Sequence, residues 1–389
     1  MSKAVAALLV DPGVFTGPYD AALAAGLQAA GVRVRFAGRG LRKGEAYEIP
    51  PDLIETIYYR GVQETAKGSG PLLKLRKAAS HVVSSWRLLQ LARKGQFDVV
   101  HFQWAVLPVL DAPLMRHLAR RRPVILTVHD LAPFNGSPTS QLQTVGFNRA
   151  LQAATRIVVH TEAARETLIG RGHDPRHVAT IPHGPLTLSS PIPPRAPRDP
   201  GAPWTIVLFG KIQAYKGVDL LLEALGRLPA QDRARLKVVI AGEPFIPMEP
   251  LLALAAEHQL GDTVEFRLKR LYDGEMAALF ASADAFVFPY RHIEASGVLH
   301  LILPYGRWIV ASDLGAFREL VVGGHNGDLV PVGDPDALAA VLMASIGRSC
   351  APGDETRVVG WDEIGARTRA LYEDALAQYA KAPTGAPGR

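Results

Sequence analysis

A chain of 389 residues with 48% hydrophobic side chains is long enough for two domains, each with its own buried core. Its one cysteine, Cys350, excludes a disulfide framework and argues for a reducing compartment, and no apolar run reaches the roughly 20 residues that cross a bilayer. The formal net charge of +6 is uneven: residues 1–190 hold 23 Lys and Arg against 13 Asp and Glu, whereas the remainder is net acidic. The first half therefore suits an anionic partner (a lipid-linked phosphate, an anionic membrane surface or a nucleic acid) or reflects an arginine-rich background.

The N-terminal "AVAALLV" lacks a signal-peptide cleavage site and reads as a first strand, so a cytoplasmic protein is expected. "YDAALAAGLQAAG" reads as a helix ending in glycine, and "VRVRFAG" as the next strand. Residues 74–94 carry Lys74, Arg76, Lys77, Arg87, Arg93 and Lys94, with Val82, Trp86 and Leu89 at helical spacing. Two readings stand: a basic amphipathic helix against the inner face of the plasma membrane, or a surface helix on which Trp86 and Leu89 cover a sheet. "FDVVHFQW" and "PVILTVHD" are strands flanking the helix "DAPLMRHLARRR"; "ATRIVVHT" and "HVATIPHG" continue the pattern. Such alternation means a parallel sheet with helices on both faces.

Residues 189–203, "SSPIPPRAPRDPGAP", are proline-rich and without periodicity, which marks a linker. The alternation then restarts with "WTIVLFG", "LKVVIAG", "TVEFR", "AFVFPY" and "WIVASD" as strands. The expected fold class is α/β, with two doubly wound Rossmann-like domains facing each other across a cleft. The expected boundaries are 1–188, the linker 189–203, 204–360, and a C-terminal helix and loose tail, 361–389, packing back on the first domain. In doubly wound sheets ligands bind outside the carboxyl ends of the strands. No GxGxxG follows the first strand, which counts against a conventional NAD enzyme.

In "VLFGKIQAYKGVD", Gly210 and Lys211 follow a strand, and Lys216 and Gly217 open a helix. Glycine admits a close backbone approach, and a helix N-terminus beside two lysines suits a diphosphate; the alternative is a solvated turn with ordinary surface lysines. In "HIEASGVLHLILPYG", Glu294 precedes Ser296-Gly297-Val298-Leu299, which reads as the first turn of a buried helix. Glu294 either accepts hydrogen bonds from sugar hydroxyls or simply caps that helix. His129 leaves a strand in "VILTVHD", either facing a ligand or buried against Asp130; His101, His160 and His183 also sit at strand ends and read as core or turn residues.

The segments "VLFGKIQAYKG", "VVIAGEP", "ADAFVFPY", "EASGVLHLILPYGRWIVASDLGAFRELV" and "GDLVPVGDPDAL" resemble the C-terminal domain of glycosyltransferase family 4, retaining enzymes of the GT-B fold. "DVVHFQW", "VILTVHDLAP", "RIVVHTEAARETL" and "IPHG" resemble that family's first domain. The resemblance implies sugar transfer from a UDP-, GDP- or other NDP-sugar to a saccharide or lipid-linked saccharide, without a cofactor or metal; no nucleic-acid partner is expected, since the basic residues are not interleaved with aromatics. Lys211 stands where the family usually has Arg and Lys216 matches its lysine; both would hold the diphosphate. Glu294 matches the first glutamate of the family's E-x7-E motif and would reach the donor sugar. Ser296, Gly297, Val298 and Leu299 would supply backbone amides, as an SGVL-type variant of that motif. Gly17, in Gly17-Pro18-Tyr19, matches the glycine loop near the donor phosphates; His129 would face the donor sugar, and Tyr19 and Asp130 would orient the acceptor.

The family's second glutamate, which binds ribose, is absent: Leu301 or Ile302 occupies its place, and neither accepts a hydrogen bond. Glu319, one helix later, reads as structural. Two other readings compete with transfer, a non-catalytic sugar-nucleotide scaffold and a nucleotide-sugar epimerase on the same fold. The epimerase would need carboxylates and a histidine converging on the sugar, and only Glu294 is in view.

Overall fold

The computed structural model describes residues 4–40, 49–61, 71–94, 97–131, 141–188, 190–193, 199, 201–293, 295–350 and 358–381, with backbone alone at 71–74 and 141–145. The chain forms two compact units: 1–133, 138–184 and 359–389 belong to the first, and 185–358 to the second.

The first unit runs β1 (Ala6–Asp11), α1 (Gly17–Ala29), β2 (Arg33–Arg39), β3 (Ile54–Tyr58), α2 (Pro71–Lys94), β4 (Val99–Phe102), α3 (Pro108–Ala119), β5 (Val124–Val128), α4 (Gln141–Ala153), β6 (Arg156–Val159), α5 (Glu162–Gly170) and β7 (Val178–Thr180). Its sheet is parallel in the order β3-β2-β1-β4-β5-β6-β7. All six residues of β1 are buried, as expected of a strand covered on both faces. The strand order reverses between β1 and β4, with Leu9 opposite both Phe36 and His101. The crevice outside the carboxyl ends of these two strands is therefore this sheet's topological switch point.

The second unit runs β8 (Trp204–Phe209), α6 (Val218–Arg227), α7 (Ala230–Arg233), β9 (Leu236–Ala241), α8 (Glu249–Glu257), β10 (Val264–Arg267), α9 (Asp273–Ser282), β11 (Ala285–Phe288), α10 (Gly297–Ile302), β12 (Trp308–Ser312), α11 (Gly315–Leu320), β13 (Gly327–Val330) and α12 (Pro335–Ala344). Its parallel sheet has the order β10-β9-β8-β11-β12-β13, so its switch point lies between β8 and β11.

The last helix, α13 (Trp361–Lys381), belongs to the first unit and packs along α1. The contact is a close backbone crossing: a Cβ on Gly26 would lie 2.2 Å from the Trp361 carbonyl oxygen, and one on Gly365 would lie 2.0 Å from that of Gly26. Buried Tyr372 and Ile364 extend the core, and Arg156 donates to Asp374 at 2.9 Å.

Helix α2 corrects one expectation. Trp86 does not cover the sheet; it is 60% exposed, with Leu75, Val82 and Val83 exposed on the same outer face. The helix turns Leu88 and Ala92 inward instead, with Leu89 only partly buried. Among the described residues, no helix is long and apolar enough to cross a membrane.

Candidate functional site

In the second unit, the loops leaving β8 and β11 meet at the switch point. Gly210 follows β8 with φ of 108°, a conformation that favours glycine. A Cβ there would lie 2.7 Å from Lys216 Nζ and 3.2 Å from Val298 Cγ2, so the missing side chain is what lets Lys216 and α10 converge. Lys216 is only 4% exposed; its ammonium donates to the Phe209 carbonyl at 3.4 Å and lies 5.3 Å from the centre of the Tyr290 ring. Among the described residues no carboxylate pairs with it. Burial, with a smaller contribution from Lys211, lowers its pKa to about 7. Lys211 is exposed, its Nζ 5.3 Å from the Phe245 ring.

Gly217 begins α6 in the left-handed region, and a Cβ there would lie 1.9 Å from the Pro289 carbonyl oxygen. The two loops are further tied by Arg291, which donates to both carboxylate oxygens of Asp219 (2.9 and 2.6 Å) and to the Ala214 carbonyl (3.2 Å). The sequence reading missed this clamp: Arg291 and Asp219 lie 72 positions apart and carry no motif.

Ser296 caps α10, its hydroxyl accepting from the Leu299 amide at 3.2 Å. That bond corrects the expected role of Leu299, whose amide is committed to the cap. Gly297 and Val298, in the first turn, keep amides without an intrahelical acceptor. Glu294 lies outside the described residues. Ile302 is fully buried and Leu301 packs beside the same core, so the place of the family's second glutamate is apolar interior.

In the first unit, His129 follows β5, and its Nδ1 lies 3.1 Å from His160 Nε2. His160 Nδ1 lies 3.0 Å from the Ile181 carbonyl oxygen. A carbonyl only accepts, so His160 Nδ1 carries a hydrogen and its Nε2 accepts from His129 Nδ1. The His129 Nε2 lone pair then has no partner among the described residues. Burial lowers His160 to about 4, partly offset by the Ile181 carbonyl. Burial, with His160 and His101 nearby, also holds His129 well below the usual imidazole range, so both rings are neutral at pH 7.

Trp104 stacks on His129 (centroids 5.1 Å apart, planes 14° apart), and Tyr19 meets it edge-on at 4.8 Å. Tyr19 is 2% exposed and also touches His160, His183 and Trp361. It is the packing hub of this cluster. Gly17 is not in a loop: it is the buried first residue of α1, and the turn proper is 12–16. Asp130 is half-buried beside His129. His101 is a core residue, bonded at 2.7 Å to both Tyr372 and Thr127, and His183 Nδ1 donates to the Gly184 carbonyl. Among the described residues no group of three or more His, Cys, Asp or Glu is placed to hold a metal ion.

Two family models match. Residues 20–185 match "Glycosyltransferase Family 4", and residues 203–346 match "Glycosyl transferases group 1". The chain is 30% identical over 318 residues to the D-inositol 3-phosphate glycosyltransferase of Xylanimonas cellulosilytica, an alignment covering 72% of this chain and 73% of that one. It is 31% identical to the protein of the same name from Geodermatophilus obscurus, over 65% of this chain but 60% of that protein's length. It is 28% identical to the phosphatidyl-myo-inositol mannosyltransferase of Mycobacterium leprae, over 81% and 82% of the two chains. The crystal structure of Anabaena HepE in complex with UDP and glucose superposes with a TM-score of 0.63 over 96% of this chain and 98% of that one, at 17% identity.

Proposed function

The chain belongs to the family 4 glycosyltransferases of the GT-B fold, and from that premise we propose that it is a retaining, metal-independent hexosyltransferase. The donor is a UDP-, GDP- or other NDP-sugar, and the acceptor is a saccharide or lipid-linked saccharide in polysaccharide, lipopolysaccharide or glycolipid synthesis. The observation that carries the reading is Lys216: a buried ammonium beside Gly210, lacking a carboxylate partner among the described residues, with exposed Lys211 close enough to lower its pKa. A buried, uncompensated cation destabilises a protein unless an anion arrives to pair with it.

In this reading the second unit holds the donor. Lys216, Lys211 and the amides of Gly297 and Val298 stabilise the charge that grows on the leaving diphosphate. Glu294 holds hydroxyls of the donor sugar. His129, neutral and with an open Nε2 lone pair, and Asp130 beside it are the first unit's candidate residues for the transferring sugar and the acceptor. The acceptor oxygen forms its bond to the anomeric carbon on the face from which the diphosphate leaves, and the acceptor proton passes to the departing phosphate oxygen. No protein nucleophile is then required, and positioning and charge stabilisation supply the catalysis.

The inositol-named relatives and the lipid named in one of them make a phosphorylated cyclitol or lipid-linked acceptor a natural first choice. The exposed stripe Leu75, Val82, Val83 and Trp86, flanked by Arg76 and Arg87, supports a peripheral contact with an anionic membrane surface. The experiment is a thermal-shift panel of UDP, GDP, ADP, dTDP and their sugars without added metal. A ligand of the folded state raises the melting temperature by mass action, so one nucleotide class should stand out. No shift with any of them would refute the donor site.

A further inference from the structure

Lys216 reaches its buried position on a long, flexible stem, and such a stem keeps one rotamer only where its neighbours select it. Its bond to the Phe209 carbonyl, at 3.4 Å, is longer than an ordinary N–H···O bond and selects weakly. The other neighbour is Tyr290. Lys216 Nζ lies over the face of that ring, 5.3 Å from its centre, and Tyr290 is 1% exposed. The ring quadrupole attracts an ammonium over its face, most strongly where water is excluded.

The ring is fixed independently of the lysine. Tyr290 meets Tyr215 (centroids 5.5 Å apart, planes 87° apart), Phe317 (5.4 Å, 76°) and Phe288 (5.6 Å, 74°). These near-perpendicular contacts come from the turn before α6, from α11 and from β11. The residues on either side of Tyr290 are bonded to those around Lys216. The Pro289 carbonyl packs on Gly217, the Arg291 amide donates to the Tyr215 carbonyl at 2.8 Å, and the Arg291 guanidinium holds Asp219 and the Ala214 carbonyl. Residues 289–291 and 214–219 are thereby held together, with Tyr290 and Lys216 face to face between them. Among the charged groups nearby, Lys211 repels the ammonium, Asp219 and Arg291 neutralise each other, and exposed His292 lies against Tyr215. Among the described residues, the Phe209 carbonyl and the Tyr290 ring are what attract the Lys216 charge.

We propose that Tyr290 is a positioning residue for sugar-nucleotide binding: its ring seats the protonated Lys216 ammonium where the donor diphosphate meets it. This deepens the glycosyltransferase reading and rests on it. Tyr290 acts through Lys216 and touches no reacting atom. A core aromatic with packing as its only task would leave the proton affinity of the lysine alone. A ring that seats the ammonium favours the protonated form, so its removal lowers the pH at which binding fails.

The test is calorimetry on the full-length protein from pH 5.5 to pH 8.5, with UDP-glucose and GDP-mannose as separate probes, neither of which titrates at its diphosphate in that range. Wild-type affinity for at least one probe should fall with a midpoint near pH 7. In Y290L the midpoint should lie about one pH unit lower, which leaves affinity at pH 8 about tenfold below wild type. Y290F keeps the ring and should restore the wild-type midpoint. F280L removes a ring of the same buried cluster, packed on Phe209, Phe286 and Tyr305 rather than on Tyr290; it should lose stability like Y290L yet keep the wild-type midpoint. Y290M carries the expectation of Y290L should that variant not fold. An unmoved or raised midpoint in Y290L, or a lowered one in Y290F or F280L, would overturn the role. If neither probe binds wild type, the donor reading fails and this role with it. If a probe binds with the same midpoint in wild type and Y290L, the positioning role alone fails.

Discussion

Replacing Lys216 by methionine should stabilise the protein while removing its nucleotide affinity. An ordinary lysine titrates near 10.5, and burial brings Lys216 down to about 7. At about 1.4 kcal/mol per tenfold change in proton affinity, the charged form carries a penalty approaching 5 kcal/mol in the ligand-free fold. Methionine forfeits the 3.4 Å bond to Phe209 and the contact with the Tyr290 ring. Those are worth about 1 kcal/mol each, which leaves a net gain of roughly 2 to 3 kcal/mol at pH 6.

The pH dependence has a definite sign. Between about 7 and 10.5 the unfolded chain keeps the proton that the folded chain has released, so wild-type stability from this group rises with pH across that window. The methionine variant lacks that slope, and its advantage fades towards the upper end. Binding runs the other way, because a diphosphate selects the protonated lysine. Between pH 6 and pH 8 the protonated fraction falls about tenfold, and affinity for an NDP-sugar should fall with it. Urea denaturation at pH 6 and pH 9, and calorimetry with the NDP-sugar at pH 6 and pH 8, measure both. A K216M protein less stable than wild type at pH 6, or an affinity indifferent to pH, would refute the account.

Gly365→Val would drive a side chain into the Gly26 backbone and should cost more than about 3 kcal/mol, read by urea denaturation and by new protease cleavage at α13. Ser296→Ala removes the α10 cap and should cost about 1 kcal/mol, with a matching loss of nucleotide affinity by calorimetry. Glu294→Ala should lower turnover more than it weakens UDP or GDP binding, as a comparison of steady-state rates with binding titrations will show. The double variant V82S/W86S should keep wild-type stability within about 0.5 kcal/mol, because both side chains are exposed, and should lose co-sedimentation with phosphatidylserine vesicles.

The alternation of apolar strands with amphipathic helices determined the two parallel sheets from sequence alone, because period and length are local properties of a chain. "VLFGKIQAYKG" and "EASGVLHLILPYG" likewise marked the two loops at the second sheet's switch point, since glycine and lysine immediately after a strand are legible without a structure. What happens between distant segments was not legible. Helical spacing placed Trp86 and Leu89 near one another but could not say which face of α2 the sheet would take; the inward face carries Leu88 and Ala92, and Trp86 stays outside. The burial that moves Lys216 to about 7 belongs to a place beside Gly210 and the Tyr290 ring, where the loops after β8 and β11 meet. The commitment of the Leu299 amide to Ser296, the neutral His129–His160 pair and the Tyr215–Tyr290 contact arise in the same way. Sequence periodicity records which residues leave water, and only tertiary structure decides which groups then become neighbours and how far each is desolvated.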